Sequence, residues 1–329
     1  MDIGLRRFSN ILVVMAATAL SLHWSASADS LSSLVVYGDS LSDNGNLFAV
    51  TGQPGAPYAD GRRSDGPVAV EQLGAKLGVP LVDYAWIGAT TGTGNYADGG
   101  TTTTFGTYML PGILTEFDAT KAAIGPNVGG LFVVWGGAND FLAPSPLDTA
   151  PQQIIARGVG DIVTIVNGLI DNGAKNILVP GMPDLGLSPY FMSLGPDEAA
   201  LGSTLTNAFN AALIADLPPG VKYFDTAQLL RNMVANPAAY GFTNVTDACF
   251  NGTTVCANPS QYLFFDDFHP TSEADAFVAD GFLSTVVPEP ANLLIVGMAF
   301  LGLVICRNRI RTLCRKLPLR ACLRGLRSC

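Results

Sequence analysis

The chain contains two histidines, His23 and His269. His23 falls in an N-terminal segment that reads as a removable signal, which leaves His269 as the ordinary general base near neutral pH. It stands in "FFDDFHPTSEAD", three residues after Asp266, close enough for that carboxylate to orient the imidazole. Asp267 is the rival carboxylate beside it. Far upstream, "LVVYGDSLSDNGN" runs from an apolar stretch into a turn carrying Asp39, Ser40 and Asp43. A serine hydroxyl is a poor nucleophile until a base takes its proton. Imidazole does that, and a carboxylate holds the ring in the required tautomer. Acyl transfer of this kind also builds an oxyanion, which needs two or three fixed donors. The Ser40 N–H, the Gly88 N–H in "DYAWIGATT" and the Asn139 side-chain amide in "GGAND" are candidates. Each of these residues also has a plainer reading. Gly, Asp, Ser and Asn are turn formers, and a lone histidine is commonly structural.

Whether they meet depends on the elements that carry them. Short apolar runs read as strands: 34–37, 81–86, 131–136, 176–181 and 221–225. Helical spacing covers 67–77, 151–172, 197–215, 226–236 and 271–286. This alternation predicts a parallel sheet covered on both faces, an α/β fold. In such sheets functional groups gather beyond the carboxyl ends of the strands. Ser40 follows the first strand, Gly88 the second, Asn139 and Asp140 the third, and Asp184 the fourth. Residues 101–104, all threonine, lie in a Gly-rich loop that takes no assignment.

The ends have a different composition. Arg6 and Arg7 precede the apolar run 11–22, and Ala26-Ser27-Ala28 follows, the order of a secretory signal peptide cut after Ala28. Near the other end, Pro288-Glu289-Pro290 precedes the uncharged run 291–306 and the cations from Arg307 onward. That run is marginal for a membrane-spanning helix, and the basic flank predicts a cytoplasmic end. The body, 29–287, has eight Lys and Arg against 25 Asp and Glu, a formal charge of −17. Such an acidic surface suits nucleic acid poorly. Cys249 and Cys256 lie close together in a loop and would pair in an oxidising compartment. Cys306, Cys314, Cys322 and Cys329 are irregularly spaced with no partner histidines, so a metal site is not expected.

The chain resembles the SGNH hydrolases of the GDSL esterase/lipase group. "GDSLSDNGN", "DYAWIGATT", "GGAND" and "DDFH" are similar to that family's blocks in their order, and "GRRSDGPVAVEQLG" and "VPGMPDLGLSPY" are typical of it. The resemblance implies Ser40 as nucleophile, Asp266 and His269 completing the triad, and Ser40, Gly88 and Asn139 as oxyanion donors. It implies a flavodoxin-like three-layer α/β/α sandwich and no cofactor. The C-terminus resembles a PEP-CTERM sorting signal, which implies an exosortase-type processing enzyme as partner beside signal peptidase. The expected domains are a signal peptide 1–28, a hydrolase domain 29–287 and a sorting segment 288–329 with an apolar transmembrane helix.

The expected protein is a secreted or surface esterase or lipase acting on a lipid or an acylated carbohydrate. The alternatives are a deacetylase of surface polysaccharide and, against the intact motif set, a non-catalytic surface protein. "GTGNYA" at 92–97 fits a loose nucleotide-binding pattern, but a Thr- and Gly-rich loop follows where a helix is required. No G-x-S-x-G elbow occurs, which excludes an ordinary α/β-hydrolase.

Overall fold

The computed structural model describes residues 31–287. The signal segment 1–28 and the tail from Pro288, with its four cysteines, lie outside the described residues. Within them five parallel strands form one sheet in the order β2-β1-β3-β4-β5. They are β1 (Leu34–Gly38), β2 (Leu81–Asp83), β3 (Leu131–Trp135), β4 (Asn176–Pro180) and β5 (Lys222–Phe224). This is the doubly wound, flavodoxin-like order, and β1 and β3 lie at its switch point.

Every residue of β1 and β3 is buried, as strands covered on both faces must be. Alternate side chains supply the two faces. Val35, Tyr37, Phe132, Val134, Ile177 and Val179 pack against the helices Ile113–Thr120, Pro151–Asp171 and Pro196–Asp216. Pro151–Asp171 is long and apolar enough to cross a membrane, yet its Ile155, Val159, Ile162, Val166 and Leu169 enter this core. On the opposite face, Trp135 and Phe224 set their rings against Phe282 of the helix Ser272–Val286. The helix Ala69–Leu77 also flanks the sheet, with Gly74 close to Leu34 of β1. Sheet and two helical layers make the three-layer α/β/α sandwich.

The expected strand over 81–86 is shorter, ending at Asp83. Tyr84 and Trp86 still donate their N–H groups to Val36 and Gly38 of β1, so the chain follows β1 before it turns away. Beyond short helices such as Asn46–Thr51 and Ala138–Leu142, the unexpected features are the helix Ile113–Thr120, which follows Pro111-Gly112, and a second, two-stranded sheet in which β6 (Asn244–Ala248) pairs with β7 (Tyr262–Phe264).

Candidate active site

β1 delivers Asp39 and Ser40 to the carboxyl edge of the sheet. The backbone carbonyl of Asp39 accepts the N–H groups of Ser42 and Asp43, both at 3.0 Å, which turns the chain sharply after the strand. Asp43 then organises the rest of the turn. Its Oδ1 accepts the N–H groups of Gly45 at 2.7 Å and Asn46 at 2.6 Å, and its Oδ2 those of Leu47 at 3.3 Å and Ile87 at 2.8 Å. Asp39 is buried and accepts the Leu41 N–H at 3.0 Å, and burial pushes its carboxyl up to about 6.

The turn between β7 and the last helix brings the C-terminal residues to the same place. His269 Nε2 lies 2.8 Å from Ser40 Oγ across 229 residues of sequence. On the other side of the ring, His269 Nδ1 is 2.7 Å from Asp266 Oδ1 and 2.9 Å from Oδ2. Asp266 Oδ1 also accepts the backbone N–H groups of Phe268 at 2.9 Å and His269 at 2.8 Å. Burial alone would raise its carboxyl, but adjacent His269 and these donors hold it well below the usual carboxylate range. Asp267 is exposed, and its backbone carbonyl accepts the Tyr190 N–H.

Gly88 and Asn139 line the same cavity as Ser40 and His269. Gly88 has φ +83, and a Cβ there would collide with Asn95 Oδ1, so glycine is required. Asn95 holds the loop from behind, donating to the carbonyls of Ile87 at 3.0 Å and Pro111 at 3.1 Å. Asn139 spends one amide hydrogen on the Ala89 carbonyl at 3.0 Å, and the second remains for a ligand. Its neighbour Asp140 accepts the Thr91 N–H at 2.8 Å and hydroxyl at 2.6 Å. The turn after β3 is thus tied twice to the turn after β2. Full burial pushes the Asp140 carboxyl up to about 7.

Asp184 also lines the cavity, but its carboxylate is already engaged by Gly186 N–H, the Ser203 hydroxyl and Arg231 Nε at 2.7 Å. The "GTGNYA" stretch forms a short 3₁₀ turn, Tyr96–Asp98, and not the helix a dinucleotide site needs. Cys249 and Cys256 hold their sulfurs at bonding distance, with Cα atoms 4.8 Å apart.

Tyr58 is a site residue that the sequence does not reveal. Its hydroxyl donates to Asp266 Oδ2 at 2.8 Å from 208 residues away. No local pattern marks it; only the neighbouring "GRRSDG" points to this loop.

The cavity has a volume of about 460 Å³. Ile87, Phe141, Leu142, Leu185 and Phe191 give it an apolar wall, and Ser40 and His269 are among its lining residues. Arg63 is the sole Lys or Arg among its lining residues. The arrangement can activate a hydroxyl beside an apolar pocket.

Comparison with known proteins places these features. The family model described as GDSL-like Lipase/Acylhydrolase matches residues 34–282. The phosphatidylcholine-sterol acyltransferase of Aeromonas hydrophila is 29% identical over 258 residues, covering 74% of this chain and 72% of that protein. Esterase EstA of Pseudomonas aeruginosa is 30% identical over 336 residues, covering 83% of this chain and 51% of that protein. The chain therefore spans about half the length of EstA. Among solved structures, an acetyl xylan esterase, AlAXEase, is 14% identical with a TM-score of 0.43, covering 78% of this chain and 100% of that one. With a family match that runs from the first residue of β1 into the last helix, the chain belongs to the GDSL-like lipase/acylhydrolase family of ester hydrolases.

Proposed function

We propose that this protein is an exported serine esterase that cleaves carboxylic esters with an apolar acyl group. The observation that carries the reading is the unbroken hydrogen-bond run from Ser40 Oγ through His269 to Asp266, which lines a largely apolar cavity. Ser40 Oγ attacks the ester carbonyl carbon while His269 Nε2 takes its proton. The Ser40 and Gly88 N–H groups and the free Asn139 amide hydrogen receive the oxyanion. Collapse breaks the bond to the alcohol, which leaves with the proton from His269, and an acyl ester remains on Ser40. A water then gives a proton to His269 and attacks that ester. The second collapse releases the carboxylic acid and returns the proton to Ser40. The steps balance with ester and water alone.

The apolar wall favours an acyl group longer than acetyl, from a lipid or an acylated carbohydrate. Measuring aryl esters of increasing chain length beside an acetylated polysaccharide tests this. Rates should rise beyond acetyl, Ser40→Ala should be inactive, and a serine-reactive phosphonate should label Ser40. Label on another serine would sink the assignment. Marked preference for the acetylated polysaccharide would move the reading to a deacetylase.

The proposal includes location. Residues 1–28 would direct export and be removed by signal peptidase, and residues 288–329 would anchor or sort the body at the cell surface through an exosortase-type enzyme. The patterns at both ends support this, as does the pairing distance of Cys249 and Cys256. In the native host, the mature chain should begin near Asp29 and end near Glu289, with no free thiol in the 249–256 loop. An intact mass that still includes Cys329 would remove the sorting reading.

A further inference from the structure

We propose that Tyr58 is a positioning residue for the Asp266 carboxylate, held as a hydrogen-bond donor by Arg63. The inference rests on the triad reading and extends it by one residue outward. Asp266 Oδ1 is fixed by three donors: His269 Nδ1 and the two backbone N–H groups. Oδ2 shares His269 Nδ1 at the longer distance of 2.9 Å, and its other partner is the Tyr58 hydroxyl at 2.8 Å. That phenol therefore helps to set the rotation of the carboxylate plane relative to the ring.

Tyr58 is itself clamped. Phe250 and Phe265 meet its ring nearly edge-on, with centroids at 5.7 and 5.4 Å. The Arg63 guanidinium carbon lies 5.0 Å from the ring centroid, and Nη1 donates to the phenol oxygen at 3.3 Å. A donated hydrogen bond on that oxygen directs its own hydrogen toward the carboxylate, which can only accept. Arg63 buries its Nε without an acceptor, a cost consistent with a side chain kept for the contacts of its far end. Phe250 is neighbour to Cys249, so the clamp is anchored in the 249–256 loop.

Two separable effects result from removing the hydroxyl. The carboxylate is freer to rotate, which lowers the population of the productive imidazole orientation and slows the chemical step. It also loses a donor that dispersed its charge, so it holds a protonated imidazole more tightly. The charged side chains that line the cavity with His269 are Asp39, Arg63, Asp184, Asp266 and Asp267, and a Tyr58→Phe change leaves all five in place.

The test measures kcat and KM of the full chain on a short aryl ester across about pH 5–9. Tyr58→Phe should lower kcat about tenfold, the size of one hydrogen bond to a charged group. KM should stay within about twofold, and the acid limb of kcat/KM should move up by about half a pH unit. Arg63→Met should move the limb in the same direction by less. Wild-type kcat in Tyr58→Phe overturns the proposal, as does a loss of kcat with the acid limb unmoved, because packing damage alone does not retitrate the base. Should Tyr58→Phe not fold, an Arg63→Met profile that superposes on wild type overturns it equally. Ser40→Ala is run in parallel: activity surviving there defeats the triad reading itself, whereas an inactive Ser40→Ala with a wild-type Tyr58→Phe defeats this inference alone.

Discussion

The Asp43 carboxylate accepts the backbone N–H of Ile87 at 2.8 Å, tying the turn after β1 to the residue just before Gly88. The other three N–H groups on Asp43 belong to its own turn. One carboxylate thus fixes the spacing between the candidate nucleophile and the loop that carries Gly88. Asparagine at this position turns two acceptor sites into donors that face donors. Asp43→Asn should destabilise the fold by about 2–3 kcal/mol and lower kcat, read by denaturant titration and by ester hydrolysis. A variant with unchanged midpoint and rate would show that the four contacts are dispensable.

The choice between the paired carboxylates is open to direct measurement. Asp266 touches the imidazole, whereas Asp267 is exposed. His269→Ala should be nearly as damaging as loss of Ser40, and Asp266→Ala should be milder but still severe, on the order of 10³–10⁴ in kcat. Asp267→Ala should keep most of the activity. The reverse order of the two aspartate variants would transfer the role to Asp267.

Asn139 and Gly88 should act on the chemical step more than on binding. Asn139→Ala removes one proposed oxyanion donor and is expected to cost about 10²–10³ in kcat with little change in KM. Gly88→Ala should be at least as harmful, because its Cβ would collide with Asn95 at a φ of +83. Matched falls in kcat and kcat/KM are the signature to look for, and a change confined to KM would count against the role.

Asp140 supplies a pH test of stability. Its carboxyl sits at about 7 in the folded protein, raised by burial, against about 4 in an unfolded chain. A raised carboxyl contributes stability that is present below its unfolded value and is lost as pH rises through its folded value. The window is therefore about pH 4–7, with a slope of up to about 1.4 kcal/mol per pH unit from this one group. Asp39 and Asp161, each raised to about 6 by burial, act in the same direction. The melting temperature of Asp140→Asn should fall less steeply across this window than that of the wild type. Parallel curves would mean that Asp140 does not titrate there.

The parts of this architecture legible in the sequence are those whose signal is local. β1, β3 and β4 read as strands because burial on both faces leaves unbroken apolar runs such as "LVVY" and "LFVV". The turn residues at the strand ends are visible because Gly, Asp, Ser and Asn follow those runs directly, and Ser40, Gly88, Asn139, Asp266 and His269 all line one cavity. The second strand reads too long in the sequence, because Tyr84 and Trp86 keep bonding to β1 after the regular ladder has ended. β6 is invisible there: "NVTDA" is polar and partly exposed, and its partner β7 lies beyond the cysteine loop. Tyr58 illustrates the general limit. Its importance comes from a contact 208 residues away, and no periodicity encodes such a distance.

The strand order has a consequence for when activity first becomes possible. Ser40, Gly88 and Asn139 come from β1 and its two neighbours, so they can gather once about half of the chain exists. His269 arrives only with the turn after β7, beside the final helix of the sheet's second face. A chain that stops before that stretch lacks both His269 and the Phe282 ring that packs on Trp135 and Phe224. On the proposed roles, ester cleavage requires a chain made through the turn after β7, and a chain that stops before His269 is released unarmed.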